Sequence, residues 1–330
     1  MKRSVSALVK PYNDIIFKKC FYNPYFSGLI ACGGSILPFL SREIYWYQYD
    51  EAKPYCIDVA EYQVGRSPLE IAKEQEIVLI QQDNIGDLQS VIDGGGLVLA
   101  PIDRYLWSDL KVNNHFYMST HMSHYMLVYG YESSLYNVID LDIARNQCYE
   151  YSVDEKEFMA CYESSMREFP HLHSYIFPTQ VSKVKPVDVE ACRNDFAINY
   201  QSNYEKMVEG LDGYKQVIKK YKNFDISLYE QANIHPVFNV PNDYSTLIRI
   251  KKIQMYQMEQ LCLADADIWG LQKECITYLE LLKNSNWRML LNRKHEKATI
   301  DNIVNKLMQV HEKELEFYNR LYTILRVKSF

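Results

Sequence analysis

Residues 124–141 read HYMLVYGYESSLYNVIDL. Tyr125–Tyr131 and Tyr136–Leu141 are rich in aromatic and β-branched residues, and the polar turn Glu132-Ser133-Ser134 separates them. Two such runs joined by a short polar turn predict an antiparallel β-hairpin. His124 opens its first strand and Asp140 stands near the end of its second. Adjacent antiparallel strands bring facing side chains to about 5 Å at Cβ, so an imidazole and a carboxylate can meet there.

Upstream, Ile77–Gln81 (IVLIQ) and Gly96–Ile102 (GLVLAPI) predict two further strands, with a short helix over 87–93 between them. Pro24–Cys32 carries small and apolar residues at helical spacing. Asn23 before Pro24 predicts an N-cap, and Gly33-Gly34 a stop. From about residue 185 the texture changes. Residues 189–222, 244–264, 268–291 and 298–326 place apolar side chains at i, i+3, i+4 and i+7, the pattern of long amphipathic helices. The stretch 177–186 (FPTQVSKVKP) carries two prolines and marks the boundary. The expected organisation is an α+β domain over residues 1–180 with an antiparallel sheet, followed by a helical bundle over 181–330. Two domains also suit 330 residues, at roughly 150 per domain.

Composition narrows the function. A formal charge of −6, from 36 basic and 42 acidic residues, leaves no electrostatic footprint for nucleic acid. The start MKRSVSALVKPYND has no apolar core before Lys10 and Pro11, so no secretory signal is expected. The least polar run, 27–40, is interrupted by Gly33, Gly34 and Pro38 and falls short of the about 20 residues a membrane span needs. No membrane association and a cytoplasmic location follow as expectations, with thiols kept reduced. Eight cysteines stand at 20, 32, 56, 148, 161, 192, 262 and 275, without a CxxC pair. Histidines at 115, 121, 124, 171 and 173 lack a helical HxxxH partner, so no metal site is expected. The 28 tyrosines suggest amphipathic, half-buried surfaces at a cleft or contact. Tyr105 and Trp107 can line such a cleft or belong to the core.

Cys20, His124 and Asp140 are the candidate catalytic residues. A thiol close to a helix N-terminus gains stability as the thiolate. An imidazole takes its proton, and a carboxylate orients the imidazole. Asp103 and Asp142 compete with Asp140 for the third role, and Cys32 is the alternative thiol.

These residues carry a resemblance. Cys20 begins a stretch that reaches Gly33 thirteen residues later. LVLAPIDRYL (97–106) is a buried strand ending in an aspartate and an aromatic; His121-Met122-Ser123-His124 leads into MLVYGYE; YNVIDL ends in an aspartate; and Tyr151-Ser152 precedes Glu155 and Phe158. Over roughly residues 14–165, this order resembles the butirosin biosynthesis protein H N-terminal family, which is related to papain-like and bacteriocin-processing cysteine peptidases. The resemblance implies a papain-like domain and acyl transfer in specialised-metabolite biosynthesis, antibiotics and nonribosomal peptides included. It implies that Cys20 accepts an (amino)acyl group from an acyl or peptidyl carrier protein. His124 would deprotonate Cys20 and later the small-molecule amine acceptor, and Asp140 would orient His124. No cofactor is implied beyond the carrier's phosphopantetheine arm. Where papain-like enzymes hold an oxyanion-donating glutamine, this chain has Asp14, and the neighbouring Asn13 is the candidate donor. His121, Asp103 and Tyr105 are expected along the cleft. The helical half would cover the cleft and select the acceptor, and a homodimer is compatible with this organisation. Two basic clusters, Lys215–Lys222 and Arg249–Lys252, are candidate docks for an acidic carrier. A thiol peptidase or amidase with the same triad, or a binding protein retaining the fold, are the alternatives.

Overall fold

The computed structural model describes residues 2–4, 9–17, 19–63, 67–108, 116–142, 145, 147–178, 184–234, 239–292 and 295–327. In chain order the elements are β1 (Lys2–Ser4), α1 (Tyr22–Ala31), α2 (Leu37–Leu40), β2 (Glu43–Gln48), β3 (Asp58–Gln63), α3 (Pro68–Glu74), β4 (Ile80–Gln82), α4 (Leu88–Asp93), β5 (Gly96–Asp103), β6 (Ser123–Glu132), β7 (Leu135–Asp142), β8 (Gln147–Asp154), α5 (Glu155–Glu168) and β9 (Ser174–Pro178). There follow α6 (Val189–Gly210), α7 (Asp212–Lys222), α8 (Ile226–Gln231), α9 (Val240–Gln260), α10 (Ala266–Asn292) and α11 (Lys297–Val327).

The chain divides into two units, Met1–Ile36 with Arg66–Val187, and Leu37–Gly65 with Asp188–Phe330. The first is α+β. Its sheet runs β4-β9-β5-β6-β7-β8, with every neighbouring pair antiparallel, and β1 pairs with β6 off this path. β5 is buried along its whole length, as a central strand flanked on both sides must be. Val98, Ala100, Ile102, Met126, Val128 and Val138 pack one face of the sheet against Phe158, Cys161 and Tyr162 of α5 and Leu88 and Ile92 of α4. Trp107 is fully buried in this cluster and belongs to the core. α1 packs on β5, β6 and β7. The hairpin runs as its residues predict, turning at Ser133-Ser134, where Ser133 takes φ 56°. IVLIQ gives less strand than expected. Pairing begins at Ile80, and Val78 stays exposed.

The second unit departs from the expected boundary at residue 180. Leu37–Gly65 groups with the helices rather than with the sheet of the first unit. β2 and β3 form their own antiparallel hairpin, with Glu43 opposite Gln63 and Gln48 opposite Asp58. Its anchors lie far downstream: Gln257 Nε2 donates to Glu43 O at 2.8 Å, and the Lys206 ammonium sits 3.8 Å over the Trp46 ring. The expected helix over 189–222 is two helices that meet at Leu211, between Gly210 and Gly213, where helix propensity is lowest.

The tyrosines also fall differently from expectation. Tyr55, Tyr214, Tyr221, Tyr229, Tyr244 and Tyr318 are fully buried in the second unit. Four of these hydroxyls donate to internal acceptors: Tyr55 to Asp225 O, Tyr244 to Tyr55 O, and Tyr221 and Tyr229 both to Asn286 Oδ1, the last two at 2.7 and 2.8 Å. Burying an aromatic ring removes much apolar area from water, and the internal bond meets the hydroxyl's requirement.

The RIKK cluster is not a surface patch, because Lys251 is wholly buried. Its ammonium pairs with the equally buried Glu314 and donates to Gln254 Oε1 at 2.7 Å, while Tyr47 donates its hydroxyl to the same Glu314 carboxylate. The rings of Tyr47, Phe317 and Tyr318 surround the charge. Removing one member of a buried pair leaves the other charge uncompensated. Glu314→Ala is therefore expected to destabilise this unit by about 3–5 kcal/mol, read as a lowered urea midpoint. An unchanged midpoint would mean that the pair contributes nothing. Lys215, Lys219 and Lys222 remain exposed and line an open groove of about 470 Å³ with Ile218, Met308 and His311. Among the described residues, no helix is long and apolar enough to cross a membrane.

Candidate active site

Three local devices position Cys20. The first is the helix start. α1 begins at Tyr22 with Phe21 at the N-cap position, two residues earlier than Asn23-Pro24 suggests. Pro24 is still tolerated, since the first turn lacks intrahelical acceptors for its N–H groups. Asn23 is no cap. It is fully buried, accepts from Phe17 N–H at 2.9 Å and donates to the carbonyls of Tyr12 and Ile15 at 3.1 and 2.8 Å. Ser27 extends the clasp by accepting from Tyr12 N–H at 2.9 Å. The second device is therefore this strap over 12–17, tied onto α1 immediately before the thiol. The third is aromatic. Phe21 stacks on Tyr25 (centroids 5.3 Å) and meets Tyr125 and Tyr175 edge-on at 5.0 and 5.7 Å. The residue after Cys20 is thus packed on the residue after His124.

The far end of α1 is fixed too. Gly33 takes φ +83°, its N–H bonds to Ile30 O, and Gly34 N–H bonds to Leu29 O. This is the Schellman stop that the two glycines predict. A Cβ at Gly28 would lie 2.8 Å from the Phe177 ring, so the helix needs a glycine there to approach β9.

His124 and Asp140 are both buried, at 3% and 0% exposure. Leu127 pairs with Ile139 across the hairpin, which sets Asp140 one residue further along β7. Its Oδ1 bonds to His124 Nε2, and its Oδ2 accepts from the Tyr151 hydroxyl at 3.0 Å. With Nε2 committed to Asp140, Nδ1 is left to face the thiol.

The charge states follow from this arrangement. Burial alone would raise the Cys20 thiol. The His124 charge, a hydrogen bond to His124 and the Tyr125 backbone N–H outweigh burial and bring it below the ordinary thiol value. Burial would pull His124 down, but Asp140 and the Cys20 sulfur hold it up to about 9 against a repelling Arg104. Asp140 lies below the usual carboxylate value despite its burial, through His124, Arg104 and Tyr151. The six buried thiols behave oppositely. Burial pushes Cys32, Cys148 and Cys161 up to about 12, and it raises Cys56, Cys192 and Cys275 as well. Cys32, the alternative nucleophile, caps the wrong end of α1 and donates to Pro178 O at 3.0 Å.

The remaining candidates are placed as follows. Asn13 donates to Cys148 O and accepts from Cys148 N–H, both at 2.7 Å. This amide clamps the strap to β8, and the oxyanion role expected for it has no support in its bonding. Asp142 holds Arg145, through the backbone N–H at 3.0 Å and Nε at 3.4 Å, which removes it from competition with Asp140. Asp103 pairs with His121, whose ring stacks on Tyr105 at 4.3 Å. Of the other histidines, His173 pairs with Asp83 and His115 lies outside the described residues. Among the described residues, no three His, Cys, Asp or Glu side chains are grouped to hold a metal ion. Sequence reasoning gave no role to Tyr151, Arg104 or the Tyr125 N–H. The first had a signal, since Tyr151 stands opposite Val138 on β8 and so two residues from Asp140's partner Tyr149. No family model matches the chain and no curated protein matches it, so the three side chains themselves carry what can be said of its chemistry.

Proposed function

We propose that the chain is a cysteine-dependent acyltransferase on a papain-like domain. It would move an (amino)acyl group from the phosphopantetheine thioester of a carrier protein, through a Cys20 thioester, to an amine acceptor in specialised-metabolite biosynthesis. One observation supports this above the others: Cys20 is a half-buried thiol pushed toward the thiolate by His124, which Asp140 keeps charged, while the buried thiols are pushed away from it. A thiolate paired with an imidazolium is the resting state that thiol acyl transfer needs.

In the first half-reaction the Cys20 thiolate attacks the donor carbonyl. A C–S bond forms to Cys20, the donor's C–S bond breaks, and His124 supplies the proton to the departing thiolate. In the second, an amine attacks the enzyme thioester, a C–N bond forms as the C–S bond breaks, His124, neutral after the first step, takes the amine's proton, and the departing Cys20 thiolate pairs again with the recharged imidazolium. Asp140, held from its other side by Tyr151, keeps the ring in one orientation throughout. The exposed lysines 215, 219 and 222 are suited to an acidic carrier.

The test is intact mass after incubation with S-acetyl-N-acetylcysteamine. The chain should gain one acetyl group, and the group should leave faster when a primary amine is added. Loss at the same rate without amine would favour the peptidase or amidase, and a chain that never gains mass would leave only a binding protein. A simpler measurement bears on the thiol alone. In a Cys262→Ser background, which removes the exposed cysteine, iodoacetamide near pH 7 is expected to label Cys20 at least about tenfold faster than a free thiol. Labelling at the free-thiol rate or slower would contradict the ion pair.

A further inference from the structure

In the second unit a groove runs between α7 and α11, and its two walls differ in charge. Tyr214, Val217 and Tyr221 are the buried stripe of α7, at i, i+3 and i+7. Lys215, Ile218, Lys219 and Lys222 form the neighbouring stripe, at i, i+3, i+4 and i+7, and line the groove. From α11 come Met308, His311 and Glu312, again at i, i+3 and i+4. The groove holds about 470 Å³.

Lysines near a helix C-terminus favour the helix dipole, which accounts for the basic residues of α7. It does not account for the apolar groups set among them. Ile218 is half-buried and Met308 is 43% exposed, and both face the same space. Lysine stems lie along apolar surface while their ammonium groups stay in water, so the lining is apolar within and cationic along the α7 side. Lys215 pairs with Asp212 at 2.6 Å, whereas among the described residues Lys219 and Lys222 have no carboxylate partner. His311 meets the Tyr214 ring edge-on at 6.3 Å. It lies below the ordinary histidine value, through burial first and the Lys215 ammonium second, and is therefore neutral near pH 7. Glu312 gives the α11 wall the opposite sign to the α7 wall.

We propose that this groove binds an amphipathic helix of a partner protein, with its apolar stripe on Ile218 and Met308 and an acidic flank toward Lys219 and Lys222. The stretch from Lys215 to Lys222 is about 10 Å long, or two helical turns, and suits partner anchors at i, i+3, i+4 and i+7. The unlike walls set the roll of the bound helix: its acids face α7 and turn away from Glu312 on α11. Binding of this kind requires no acyl transfer. It goes beyond the acyl-transfer reading, which asks of these lysines only positive charge.

The test is fluorescence anisotropy with the full chain and a labelled peptide of about 18 residues, long enough to hold a helix. Its leucines stand at i, i+3, i+4 and i+7, with glutamates along one flank and alanine and glutamine elsewhere. Wild type is expected to bind it, and replacing the leucines by serine should weaken binding at least about tenfold. Lys219→Glu with Lys222→Glu should weaken the acidic peptide at least about tenfold. A peptide with lysines in place of the glutamates should then bind this variant more tightly than it binds wild type. Met308→Gln, at an exposed position, should weaken the acidic peptide about fivefold without altering charge. Should the glutamate pair fail to fold, Lys219→Gln with Lys222→Gln carries the same direction. Wild type that does not bind the acidic peptide overturns the assignment, and so does an affinity that these substitutions leave unchanged. Equal binding of the serine peptide overturns it as well, because charge attraction would then suffice. A wild-type dimer that the glutamate pair dissociates would seat a second copy of this chain in the groove, and it too overturns the assignment.

Discussion

Cys20→Ser is expected to abolish acyl capture. A serine hydroxyl ionises far less readily than a thiol, and the His124 field that suffices for a thiol cannot bring it to the alkoxide near neutrality. The acetyl mass gained from S-acetyl-N-acetylcysteamine should disappear, with a rate loss of about 10³-fold or more. The change is nearly isosteric at a partly exposed position, so the thermal midpoint should barely move and the loss reads as chemistry. Peptide mapping adds a second check, since the acetyl group in wild type should reside on the peptide that contains Cys20. An acetyl group retained by the serine variant, on Cys32 or Cys148 for example, would refute Cys20 as the nucleophile. The burial that raises those thiols works against that outcome.

What the sequence makes legible is local. Strand runs separated by a polar turn predict β6 and β7, and residue order alone brings His124 to Asp140. Paired glycines predict the end of α1, because only a residue tolerant of positive φ completes that stop. The start of α1 is misread because Asn23-Pro24 imitates a cap, while the real use of Asn23 is tertiary: it holds Tyr12, Ile15 and Phe17. Hairpin β2–β3 is invisible for a related reason. EIYWYQ is covered on both faces, so it shows no alternation, and its anchors Lys206, Gln257 and Glu314 lie more than 150 residues downstream. Lys251 reads as a surface cation because the pattern that buries it, a carboxylate on α11 and a tyrosine on β2, is not local either. At the candidate site the same division holds. The three catalytic candidates are found from order and setting. The side chains that tune them, Tyr151 and Arg104, are set by strand register and by a turn.

Asp140→Asn should separate the orientation of His124 from its charge. In wild type, burial acts to discharge the ring, and the Asp140 carboxylate reverses this, holding His124 up to about 9. Without that anion, burial prevails and the ring loses its proton at lower pH. The thiolate then loses the cation that stabilises it. Asp140 also repels the thiolate directly, but this is the smallest of the effects acting on Cys20, so the net result is a weaker ion pair. An asparagine can also present its carbonyl or its amide to Nε2, and the amide selects the wrong tautomer. Acyl capture near pH 7 is therefore expected to fall about 10²–10⁴-fold. The sign of the pH effect follows from the same charges. Transfer in wild type should decline as pH rises through about 9, where His124 loses the proton that it gives to the leaving thiolate. In Asp140→Asn this alkaline limb should move to lower pH, and iodoacetamide labelling of Cys20 near pH 7 should slow in step. Tyr151→Phe, which removes one hydrogen bond from the carboxylate and leaves its charge, should not move the limb to lower pH. An alkaline limb that stays near pH 9 in the asparagine variant would show that Asp140 does not control His124, and the triad would be reduced to a thiol and an imidazole.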